Sequence, residues 1–370
     1  MKQTFKIIIS GGGTGGHIFP AISIANEVRG RCPDADILFV GADNRMEMER
    51  VPAAGYRIVG LPVSGFNRAD LSKNVKVIAR LVRSLRLADN IVREFKPDIA
   101  VGVGGYAAGP TLWSAAKRRI PTLIQEQNSY AGVTNKLLSK KAVRICVAYE
   151  GMERFFPADK IIITGNPVRK DLENLSGQKA EALAFWGFSP AQKTILVLGG
   201  SLGARTVNSS IIKHIDTLLA SGMQLIWQTG RFYHAEIRNN MEKYKETSSI
   251  RCVEFITRMD YAYAAADLVV SRAGAGTISE LCLLAKPSIL VPSPNVAEDH
   301  QTKNAMALLK KDATILTPDG DADNMLVENI LNTVADDNRL AALSANIAPL
   351  ARHHSAERIV DEIISIVNNK

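Results

Sequence analysis

The chain has 370 residues, which is more than one ordinary hydrophobic core holds and predicts two domains of α/β size. It is 46% hydrophobic and 22% charged, which excludes a disordered chain, and it has no run of about 18 uncharged apolar residues to span a bilayer and no N-terminal apolar core long enough to predict a signal peptide. The net charge of +8 leaves three classes of partner open: nucleic acid, an anionic membrane surface and a phosphorylated substrate.

Short β-rich segments alternate with helical patterns through the first half of the chain. These segments are rich in β-branched residues and are bounded by Gly or Pro, as buried parallel strands are. The predicted strands are Lys6–Ser10, Ile37–Val40, Ile99–Val103, Thr122–Gln125 and Arg144–Ala148. Helices that connect parallel strands cover both faces of the sheet, so this half predicts one doubly wound domain.

The same alternation begins again after Thr164–Val168. The predicted strands of the second half are Thr194–Leu198, Gln224–Gln228, Arg251–Phe255, Leu268–Ser271 and Ser288–Val291. A final helix over Ser355–Val367 carries an apolar stripe and is expected to dock onto one of the sheets. We therefore predict an α/β protein of two Rossmann-like, doubly wound parallel-sheet domains facing a cleft. The domains are residues 1–165 and 166–345, and a C-terminal helical segment, 346–370, packs back near the interdomain region.

A glycine-rich segment, Gly11–His17, follows the first predicted strand and opens a helix. Glycines let backbone N–H groups approach an anion closely, and a helix N-terminus adds a partial positive charge. The segment satisfies GxGxxG, so a dinucleotide site in which Asp43 holds the ribose stays open as an alternative. His17 lies at the helix N-terminus, where the dipole favours the neutral, proton-accepting imidazole, and it is therefore a candidate base.

Two further glycine clusters follow predicted strands, at Gly102–Pro110 and Gly199–Ala204. The second resembles a phosphate cradle with a serine, Ser201, added, but it lacks the Gly-Lys-Ser/Thr of a nucleotide-hydrolysing loop. Ligands bind at the carboxyl ends of parallel strands. We therefore expect these loops to contribute to a large site for a polar, phosphorylated substrate.

The segment Ser271–Glu280 combines a strand end, a loop of small residues and a helix predicted to begin near Thr277. Thr277 and Glu280 have the spacing of a capping box, which is one interpretation. In the other, the Glu280 carboxylate accepts two hydrogen bonds from a ribose diol. Two polar segments accompany this motif. Asp299–Ala305 opens another helix, for which Asp299 is a candidate N-cap. The polar side chains of Gln125–Asn128 indicate a polyhydroxylated partner or solvent.

Together these segments resemble one family, the bacterial peptidoglycan glycosyltransferases (MurG family) that convert lipid I to lipid II. The resemblance runs through GGTGGH at 12–17, VGVGGYAAGP at 101–110, EQN at 126–128, TGNPVR at 164–169, GGSLGA at 199–204 and SRAGAGTISE at 271–280. It implies the glycosyltransferase B fold, with lipid I and the membrane at the first domain and UDP-N-acetylglucosamine in the second. It also implies a part in peptidoglycan synthesis, cell wall biogenesis, cell shape, cell division and the cell cycle.

The resemblance implies roles residue by residue. Glu280 would hold the ribose hydroxyls, the backbone at Ile256 would read the uracil edge, and Ser201 would bind the pyrophosphate. The whole set implied for the donor is Thr14, Gly15, Gly16, Asn128, Arg169, Ser201, Ile256, Ala275, Gly276, Thr277, Ile278, Ser279, Glu280 and Gln301. The set implied for the acceptor and its pyrophosphate is Gly13, Gly104, Gly105 and Tyr106.

The chemistry implied is a direct displacement at the anomeric carbon. An α-linked donor and a β-1,4-linked product require inversion, so one attack and one base suffice. We predict that His17 takes the proton from the muramoyl 4-hydroxyl, with Glu126 as a rival base or a supporting partner. Ser201, helix N-termini and Arg272 or Arg169 would stabilise the departing UDP, so we expect no cofactor.

We expect no metal site. The pairs Asp34/Asp36 and Asp321/Asp323 mimic a metal-binding DxD, but both lie in turn-like contexts and are interpreted as caps. Four cysteines without CxxC spacing predict reduced cytoplasmic thiols and no zinc. Gln125 stands where the family often has His, and His300 receives no role.

The excess positive charge lies on the first domain, where residues 1–165 carry 24 Lys and Arg against 14 Asp and Glu, whereas the remainder carries 21 against 23. In residues 73–88, Ile78, Leu81, Val82 and Leu85 form an apolar stripe opposite basic side chains, which is typical of a helix packed on its sheet and also of a membrane-facing helix. The membrane hypothesis rests on Lys76, Arg80, Arg83, Arg86 and Trp113.

This hypothesis predicts peripheral attachment to the cytoplasmic face of the bacterial plasma (inner) membrane. The expected partners are UDP-N-acetylglucosamine, undecaprenyl-linked lipid I, an anionic membrane surface, and cell-wall and division proteins. No recognition module or aromatic stacking platform accompanies the basic residues, so nucleic acid is not expected.

Three alternatives stay open. A UDP-sugar:diacylglycerol glycosyltransferase would share the fold and the nucleotide motifs. An NAD(P)-dependent oxidoreductase would use the first glycine loop but would leave Ser271–Glu280 unexplained. A two-lobed solute-binding protein would need an export signal.

Overall fold

The computed structural model describes residues 5–64, 74–169, 172, 175 and 177–369, with the backbone alone at 74–76 and 297. Its contacts divide the chain into two compact units, Met1–Val168 with Arg352–Lys370, and Arg169–Ala351. The division falls shortly after the predicted boundary at 165. The C-terminal helix belongs to the first unit, whereas residues 346–351 belong to the second.

The sheet of the first unit consists, within the described residues, of seven strands. They are β1 Lys6–Ser10, β2 Asp36–Ala42, β3 Arg57–Leu61, β4 Ile99–Gly102, β5 Thr122–Glu126, β6 Arg144–Val147 and β7 Ile161–Ile163. All neighbours are parallel, in the order β3-β2-β1-β4-β5-β6-β7. The central strands are buried along nearly their whole length, as strands covered on both faces are.

Helices cover both faces of this sheet. They are α1 Gly15–Arg31, α2 Glu47–Ala53, α3 Asn74–Phe95, α4 Ala108–Lys117, α5 Val133–Leu138 and, at the C-terminus, α15 Ser355–Asn368. Alternate residues of β1 point to two separate cores, because side chains alternate along a strand. Ile7 and Ile9 pack with residues of α1, α2 and α15, whereas Ile8 packs with residues of α3, α4 and α5.

The second unit repeats the arrangement. Its strands are β8 Thr194–Leu198, β9 Gln224–Gln228, β10 Ile250–Val253, β11 Leu268–Ser271, β12 Ser288–Leu290 and β13 Ile315–Leu316, parallel in the order β10-β9-β8-β11-β12-β13. Its helices are α6 Lys179–Trp186, α7 Arg205–Lys213, α8 Ile215–Ala220, α9 His234–Met241, α10 Met259–Ala265, α11 Ala275–Leu283, α12 His300–Leu309, α13 Ala322–Ala335 and α14 Asp337–Ile347.

The strand order reverses direction once in each sheet, between β1 and β4 and between β8 and β11. In open parallel sheets ligands bind outside the carboxyl ends of the strands at such a switch point. All the glycine-rich loops singled out in the sequence follow β1, β4, β8 or β11. Each unit therefore presents its candidate loops at its own switch point.

The ten predicted strands are present with small shifts at their ends, and three strands were missed. These are β3, β7 and β13, which lie at or next to sheet edges. All three are less buried than the central strands. β3 interrupts its apolar residues with Arg57 and Gly60, and β13 has only two residues, whereas β7 carries the apolar run Ile161–Ile163 and was overlooked.

Candidate functional site

In the first unit, the glycine loop between β1 and α1 interlocks with the loop that follows β4. A Cβ atom at Gly11 would lie 2.8 Å from the carbonyl oxygen of Gly104, and one at Gly105 would overlap the carbonyl oxygen of Gly12. The two backbones can approach this closely only because these positions carry no side chain. The predicted residues Gly13, Gly104 and Gly105 thus lie together, with the exposed Tyr106 following them.

His17 is held against this pair of loops. Its Nδ1 lies 3.1 Å from the carbonyl oxygen of Gly12 and 3.4 Å from Oγ1 of Thr14. Its Nε2 faces Gly104, since a Cβ atom placed on Gly104 would lie 2.9 Å from Nε2. A carbonyl oxygen only accepts, so the neutral ring carries its proton on Nδ1 and its lone pair on Nε2. The ring is therefore oriented to accept a proton at Nε2.

Sequence reasoning missed Glu47, the first residue of α2. Its side chain is 1% exposed, and its carboxylate accepts hydrogen bonds from the N–H of Gly13, 3.0 Å from each oxygen, and from the N–H of Ala42 at 3.0 Å. A Cβ atom at Gly12 would overlap this carboxylate. The loop is thus anchored from within the unit by a negative charge.

The dinucleotide alternative loses its support in this geometry. Asp43, which would hold the ribose, packs its carboxylate against Gly60 of β3. The N–H of Gly13, which would face a pyrophosphate, is taken by Glu47.

Glu126, at the end of β5, is buried, and both of its carboxylate oxygens accept hydrogen bonds. The donors are the N–H and side-chain amide of Asn128 at 3.1 and 3.3 Å, the N–H of Gly132 at 3.0 Å and the amide of Asn135 at 2.9 Å. These hydrogen bonds hold the loop around Asn128 in place and occupy both carboxylate oxygens, which disfavours Glu126 as the base. It favours His17 among the two candidates.

The neighbouring amides form a buried network. Gln125 donates to Asn166 at 2.9 Å, Asn166 donates to the carbonyl oxygen of Gln127 at 3.0 Å, and Gln127 donates to the carbonyl oxygen of Val103 at 2.8 Å. The expectation that these side chains need a polyhydroxylated partner is wrong for Gln125, which this network satisfies. Asn128 alone of the cluster is only half-buried.

In the second unit, the loop between β8 and α7 is fixed by the segment that follows β9. Cβ atoms at Gly203 and Gly230 would overlap the Tyr233 ring and the Gly203 backbone, respectively. The carbonyl oxygen of Ser201 accepts from the N–H of Arg231 at 3.1 Å, and the Ser201 side chain is exposed at the carboxyl edge of the sheet. Ser201 is therefore presented on a well-supported loop.

Helix α11 begins at Ala275, with Gly274 in an extended conformation at its N-cap. The capping-box interpretation is therefore wrong, because Thr277 lies inside the helix and does not cap it. The predicted residues Ala275–Glu280 all lie in the first two turns of α11. Of these, Gly276, Thr277, Ser279 and Glu280 are partly exposed, whereas Ala275 and Ile278 are buried.

Glu280 is oriented by a residue that the sequence did not reveal. Tyr263 of α10 is fully buried, and its hydroxyl donates to Oε2 of Glu280 at 2.8 Å. Burial raises the pKa of Tyr263 well above its usual value, and the Glu280 carboxylate raises it further. The positive charge of Arg169 lowers the pKa of Tyr263, so Arg169 lies within electrostatic range of this hydroxyl.

Two other predicted residues of the second unit lie near strand ends. Gln301, in the first turn of α12, accepts from the N–H of Ser293 at 2.8 Å, which fixes its amide. Ile256 is buried in the segment after β10.

Arg272 is bound elsewhere than predicted, because its guanidinium pairs with Asp319 and donates to the carbonyl oxygen of Val291 at 3.0 Å. Its proposed part in stabilising the leaving group is therefore not favoured.

The predicted apolar stripe of α3 faces outward. Its inner face is formed by Val77, Ser84, Ala88 and Val92, whereas Ile78 is 52% and Val82 43% exposed, with Leu81 also exposed. The interpretation in which this stripe packs on the sheet is therefore wrong. Arg80, Arg83 and Arg86 are exposed beside it, and the side chain of Lys76 lies outside the described residues.

On α4, Trp113 is 46% exposed, with the Lys141 ammonium 3.6 Å from its ring centroid. Helices α3 and α4 pack against each other, and Arg118, directly after α4, pairs with Asp89 of α3 at 2.7 Å. The exposed apolar residues of both helices thus belong to one helical layer of the first unit.

A cavity of about 720 Å³ lies at the opposite edge of the first sheet, where β5 and β6 begin. It is lined by residues that include Arg119, Pro121, Lys141, Arg144 and Glu362. None of the predicted catalytic or substrate-binding residues lies there.

Three of the four acidic residues in the DxD-like pairs have defined places in the fold. Asp36 pairs with Arg57, and Asp321 lies at the N-cap of α13 with Asp323 in its first turn. Across the part of the chain that the structure describes, no group of three or more His, Cys, Asp or Glu side chains is placed to hold a metal ion. No helix over the same residues is long and apolar enough to cross a membrane.

The chain resembles known glycosyltransferases over its whole length. Residues 7–147 match the glycosyltransferase family 28 N-terminal domain, and residues 194–362 match the family 28 C-terminal domain. A relative from Parabacteroides distasonis, named UDP-N-acetylglucosamine–N-acetylmuramyl-(pentapeptide) pyrophosphoryl-undecaprenol N-acetylglucosamine transferase, is 67% identical over all of both chains. One of the same name from Bacteroides fragilis is 58% identical over 98% of this chain and 96% of its own.

Among solved structures, the MurG crystal structure from Acinetobacter baumannii superposes with a TM-score of 0.77 at 25% identity, covering 98% of this chain and 99% of that one. The predicted fold of two parallel-sheet α/β domains of the glycosyltransferase B type is confirmed. The chain belongs to the family of UDP-N-acetylglucosamine–N-acetylmuramyl-(pentapeptide) pyrophosphoryl-undecaprenol N-acetylglucosamine transferases, and it is a family 28 glycosyltransferase.

Proposed function

We propose that this chain transfers N-acetylglucosamine, with inversion, from UDP-N-acetylglucosamine to the 4-hydroxyl of undecaprenyl-pyrophosphoryl-MurNAc-pentapeptide, converting lipid I to lipid II. The observation that carries the proposal is the 67% identity, over all of both chains, to a relative named for this transfer. The geometry supports it, because each unit holds a glycine loop at its switch point and the two loops carry different chemistry.

In this proposal the second unit binds the donor. The Glu280 carboxylate, fixed by Tyr263, accepts hydrogen bonds from the ribose hydroxyls, and the backbone at Ile256 reads the uracil edge. Ser201 and the first turn of α11 around Gly276 and Thr277 bind the pyrophosphate, since N–H groups at a helix N-terminus attract anions. The residues assigned to the rest of the donor are Arg169, Ala275, Ile278, Ser279 and Gln301.

The first unit would supply the acceptor site and the base. Thr14, Gly15 and Gly16 close over the donor and toward the acceptor pyrophosphate, and Gly104–Tyr106 face the acceptor. Gly13, whose N–H is bound by Glu47, supports this loop. His17 accepts the proton of the attacking hydroxyl at Nε2, which the hydrogen bond at Nδ1 leaves as the basic nitrogen. Asn128 contacts the transferred sugar, and Glu126 positions Asn128 through its two hydrogen bonds to that residue.

The helical layer of the first unit would attach the enzyme to the membrane. Ile78, Leu81 and Val82 of α3 and Trp113 of α4 present apolar surface, and Arg80, Arg83 and Arg86 flank it. Basic residues near an anionic surface contribute about 1 kcal/mol each. We assign this surface to the cytoplasmic leaflet of the inner membrane, where the lipid-linked acceptor would be met.

An acceptor assay tests the proposed function. With radiolabelled UDP-N-acetylglucosamine, the purified enzyme is expected to label a soluble lipid I analogue and to leave diacylglycerol unlabelled. Transfer to diacylglycerol with none to lipid I would overturn the proposal in favour of the UDP-sugar:diacylglycerol transferase. UDP-glucose serves as the control for the donor sugar.

A further inference from the structure

The peptide unit between Gly12 and Gly13 is hydrogen-bonded at both of its ends to ionisable side chains. Its N–H, on Gly13, donates to the Glu47 carboxylate, 3.0 Å from each oxygen. Its carbonyl oxygen, on Gly12, lies 3.1 Å from Nδ1 of His17. A trans peptide unit is planar, with its N–H and C=O pointing in opposite directions, so it connects Glu47 and His17 on opposite sides.

We propose that Glu47 is a positioning residue that acts on His17 through this single peptide unit. Glu47 fixes the proton of the neutral ring on Nδ1 and stabilises the imidazolium that forms when Nε2 takes a proton. The inference rests on the proposed function, because it extends the role of base given to His17.

Glu47 is built into the unit to make this contact. Its carboxylate is buried and accepts from two backbone N–H groups: that of Gly13, which is shared by both oxygens, and that of Ala42. Both oxygens act as acceptors, which is the pattern of an ionised carboxylate. Two glycines make room for the side chain, since a Cβ at Gly12 would overlap its oxygen and one at Gly41 would lie 2.7 Å from its Cγ.

The physical basis of the coupling is polarisation along a chain of hydrogen bonds. A carboxylate that attracts the Gly13 N–H increases the negative charge on the Gly12 carbonyl oxygen, which then accepts more strongly from Nδ1. A carboxylate bonded directly to a histidine has the same two effects: it selects the tautomer and it stabilises the cation. Here one peptide unit is interposed, so we expect a smaller effect.

The step in which the coupling acts is balanced. The acceptor 4-hydroxyl loses its proton to Nε2 of His17, and the oxygen forms a bond to the anomeric carbon. The bond from that carbon to the UDP oxygen breaks, and its electron pair leaves with UDP. His17 becomes an imidazolium, and the charge of Glu47 stabilises it through the Gly12 carbonyl.

Several groups of the first unit contact the His17 ring. Among them are the carbonyl of Gly12, the hydroxyl of Thr14 and the backbone of Gly104. Titratable groups on neighbouring elements include Glu47 of α2, Tyr106 after β4 and Glu126 of β5. Glu126 is held by the donors of its own loop, whereas Glu47 is connected to His17 through one peptide unit.

The test is a titration of the ring itself. The full chain is labelled with ¹⁵N-histidine, the His17 resonances are assigned by their loss in His17→Ala, and the ring nitrogens are followed with pH in the wild type and in Glu47→Gln. The wild type is expected to show the Nδ1–H tautomer. Glu47→Gln is expected to lower the proton affinity of His17 about threefold, which is about half a pKa unit.

Catalysis provides the second readout. A base must be neutral to accept a proton, so kcat/KM rises as pH increases through the pKa of His17. Lowering this pKa moves the acidic limb of the profile to lower pH in Glu47→Gln and reduces kcat at the plateau, with KM for UDP-N-acetylglucosamine unchanged. Glu49→Gln, at an exposed position on the same helix, is the matched control and is expected to behave as the wild type.

An unchanged His17 pKa and tautomer in folded Glu47→Gln would overturn the inference and leave Glu47 a purely structural role. If Glu47→Gln does not fold, the wild-type titration decides the question, because an Nε2–H tautomer of His17 would contradict the coupling. Glu47→Asp, which keeps the negative charge, serves as the second variant. Failure of the proposed function gives a different result from failure of the coupling. Normal turnover in His17→Ala would show that His17 is not the base, whereas the titration measures the coupling between Glu47 and His17 directly.

Discussion

The glycine loops after β1 and β8 occupy equivalent places in their two sheets but are held in different ways. The first loop is anchored by a buried carboxylate, Glu47, and carries a histidine. The second is anchored by backbone hydrogen bonds and the Tyr233 ring, and carries the exposed Ser201. The same strand–loop–helix motif can therefore serve different chemistry, because the side chain that supports the loop sets the local charge.

In the proposed function, this difference separates the tasks of the two loops. A carboxylate behind the loop stabilises a cation, which suits a base that becomes protonated. At the second loop, beside the N-terminus of α7, no carboxylate of the described residues bonds the loop, which suits an anion such as the UDP pyrophosphate. Substitutions in either unit can test this contrast.

The largest effect is expected for His17→Ala in the first unit. A general base contributes about 10²–10⁴-fold to the rate, so kcat is expected to fall by about that factor while UDP-N-acetylglucosamine binds as in the wild type. Steady-state kinetics and calorimetric titration measure the two quantities. His353→Ala, at an exposed position of the same unit, is the control, and equal losses in both variants would argue against a specific role for His17.

The next effect concerns membrane attachment by the first unit. Replacing Arg80, Arg83 and Arg86 by Glu removes three basic contributions of about 1 kcal/mol each and adds repulsion, so binding to anionic vesicles is expected to weaken about 100-fold or more. Sedimentation with phosphatidylglycerol vesicles measures this.

The matched control for that experiment reverses three exposed lysines of the second unit, Lys213, Lys243 and Lys310. It changes the net charge equally and is expected to leave vesicle binding close to that of the wild type. Equal losses in both triple variants would mean that total charge decides, and the attachment surface assigned to α3 and α4 would be wrong.

A smaller effect is expected for Tyr263→Phe in the second unit. The substitution removes one hydrogen bond to the Glu280 carboxylate, and hydrogen bonds to charged groups contribute about 1.5–3 kcal/mol in total. Because Glu280 itself remains, we expect only part of this loss, with KM for UDP-N-acetylglucosamine raised about 3–10-fold and kcat unchanged. Tyr261→Phe, on the same helix, is the control, and a Tyr263→Phe enzyme with wild-type KM would show that Glu280 needs no positioning.

The buried central strands and the glycine loops could be predicted from the sequence, because continuous apolar runs and clustered glycines are local signals. The edge strands β3 and β13 could not, since β3 mixes polar and apolar residues and β13 has two residues, whereas the run Ile161–Ile163 of β7 carried the same local signal and was overlooked. Glu47 was missed because its role depends on contacts that are distant in sequence. It is one of 37 acidic residues, and only the fold places it against Gly12 and Gly41.

Two alternative interpretations that the structure rules out show where local patterns are insufficient. The apolar stripe of α3 was correctly located, but periodicity does not tell which face is buried. The inner face uses the small residues Ser84 and Ala88, which allow close packing against neighbouring elements. Likewise the spacing of Thr277 and Glu280 fits a capping box, but the extended Gly274 starts α11 earlier and leaves Glu280 to bond Tyr263.

The most direct test of the division between the units compares His17→Ala and Glu280→Ala for both donor binding and rate. The dissociation constant of UDP-N-acetylglucosamine and the single-turnover rate at saturating donor are measured in each variant. We predict that His17→Ala retains binding and loses the rate, and that Glu280→Ala loses binding by about 10–100-fold and retains most of the rate. Loss of binding in His17→Ala with a preserved rate, or the reverse pattern in Glu280→Ala, would contradict the account.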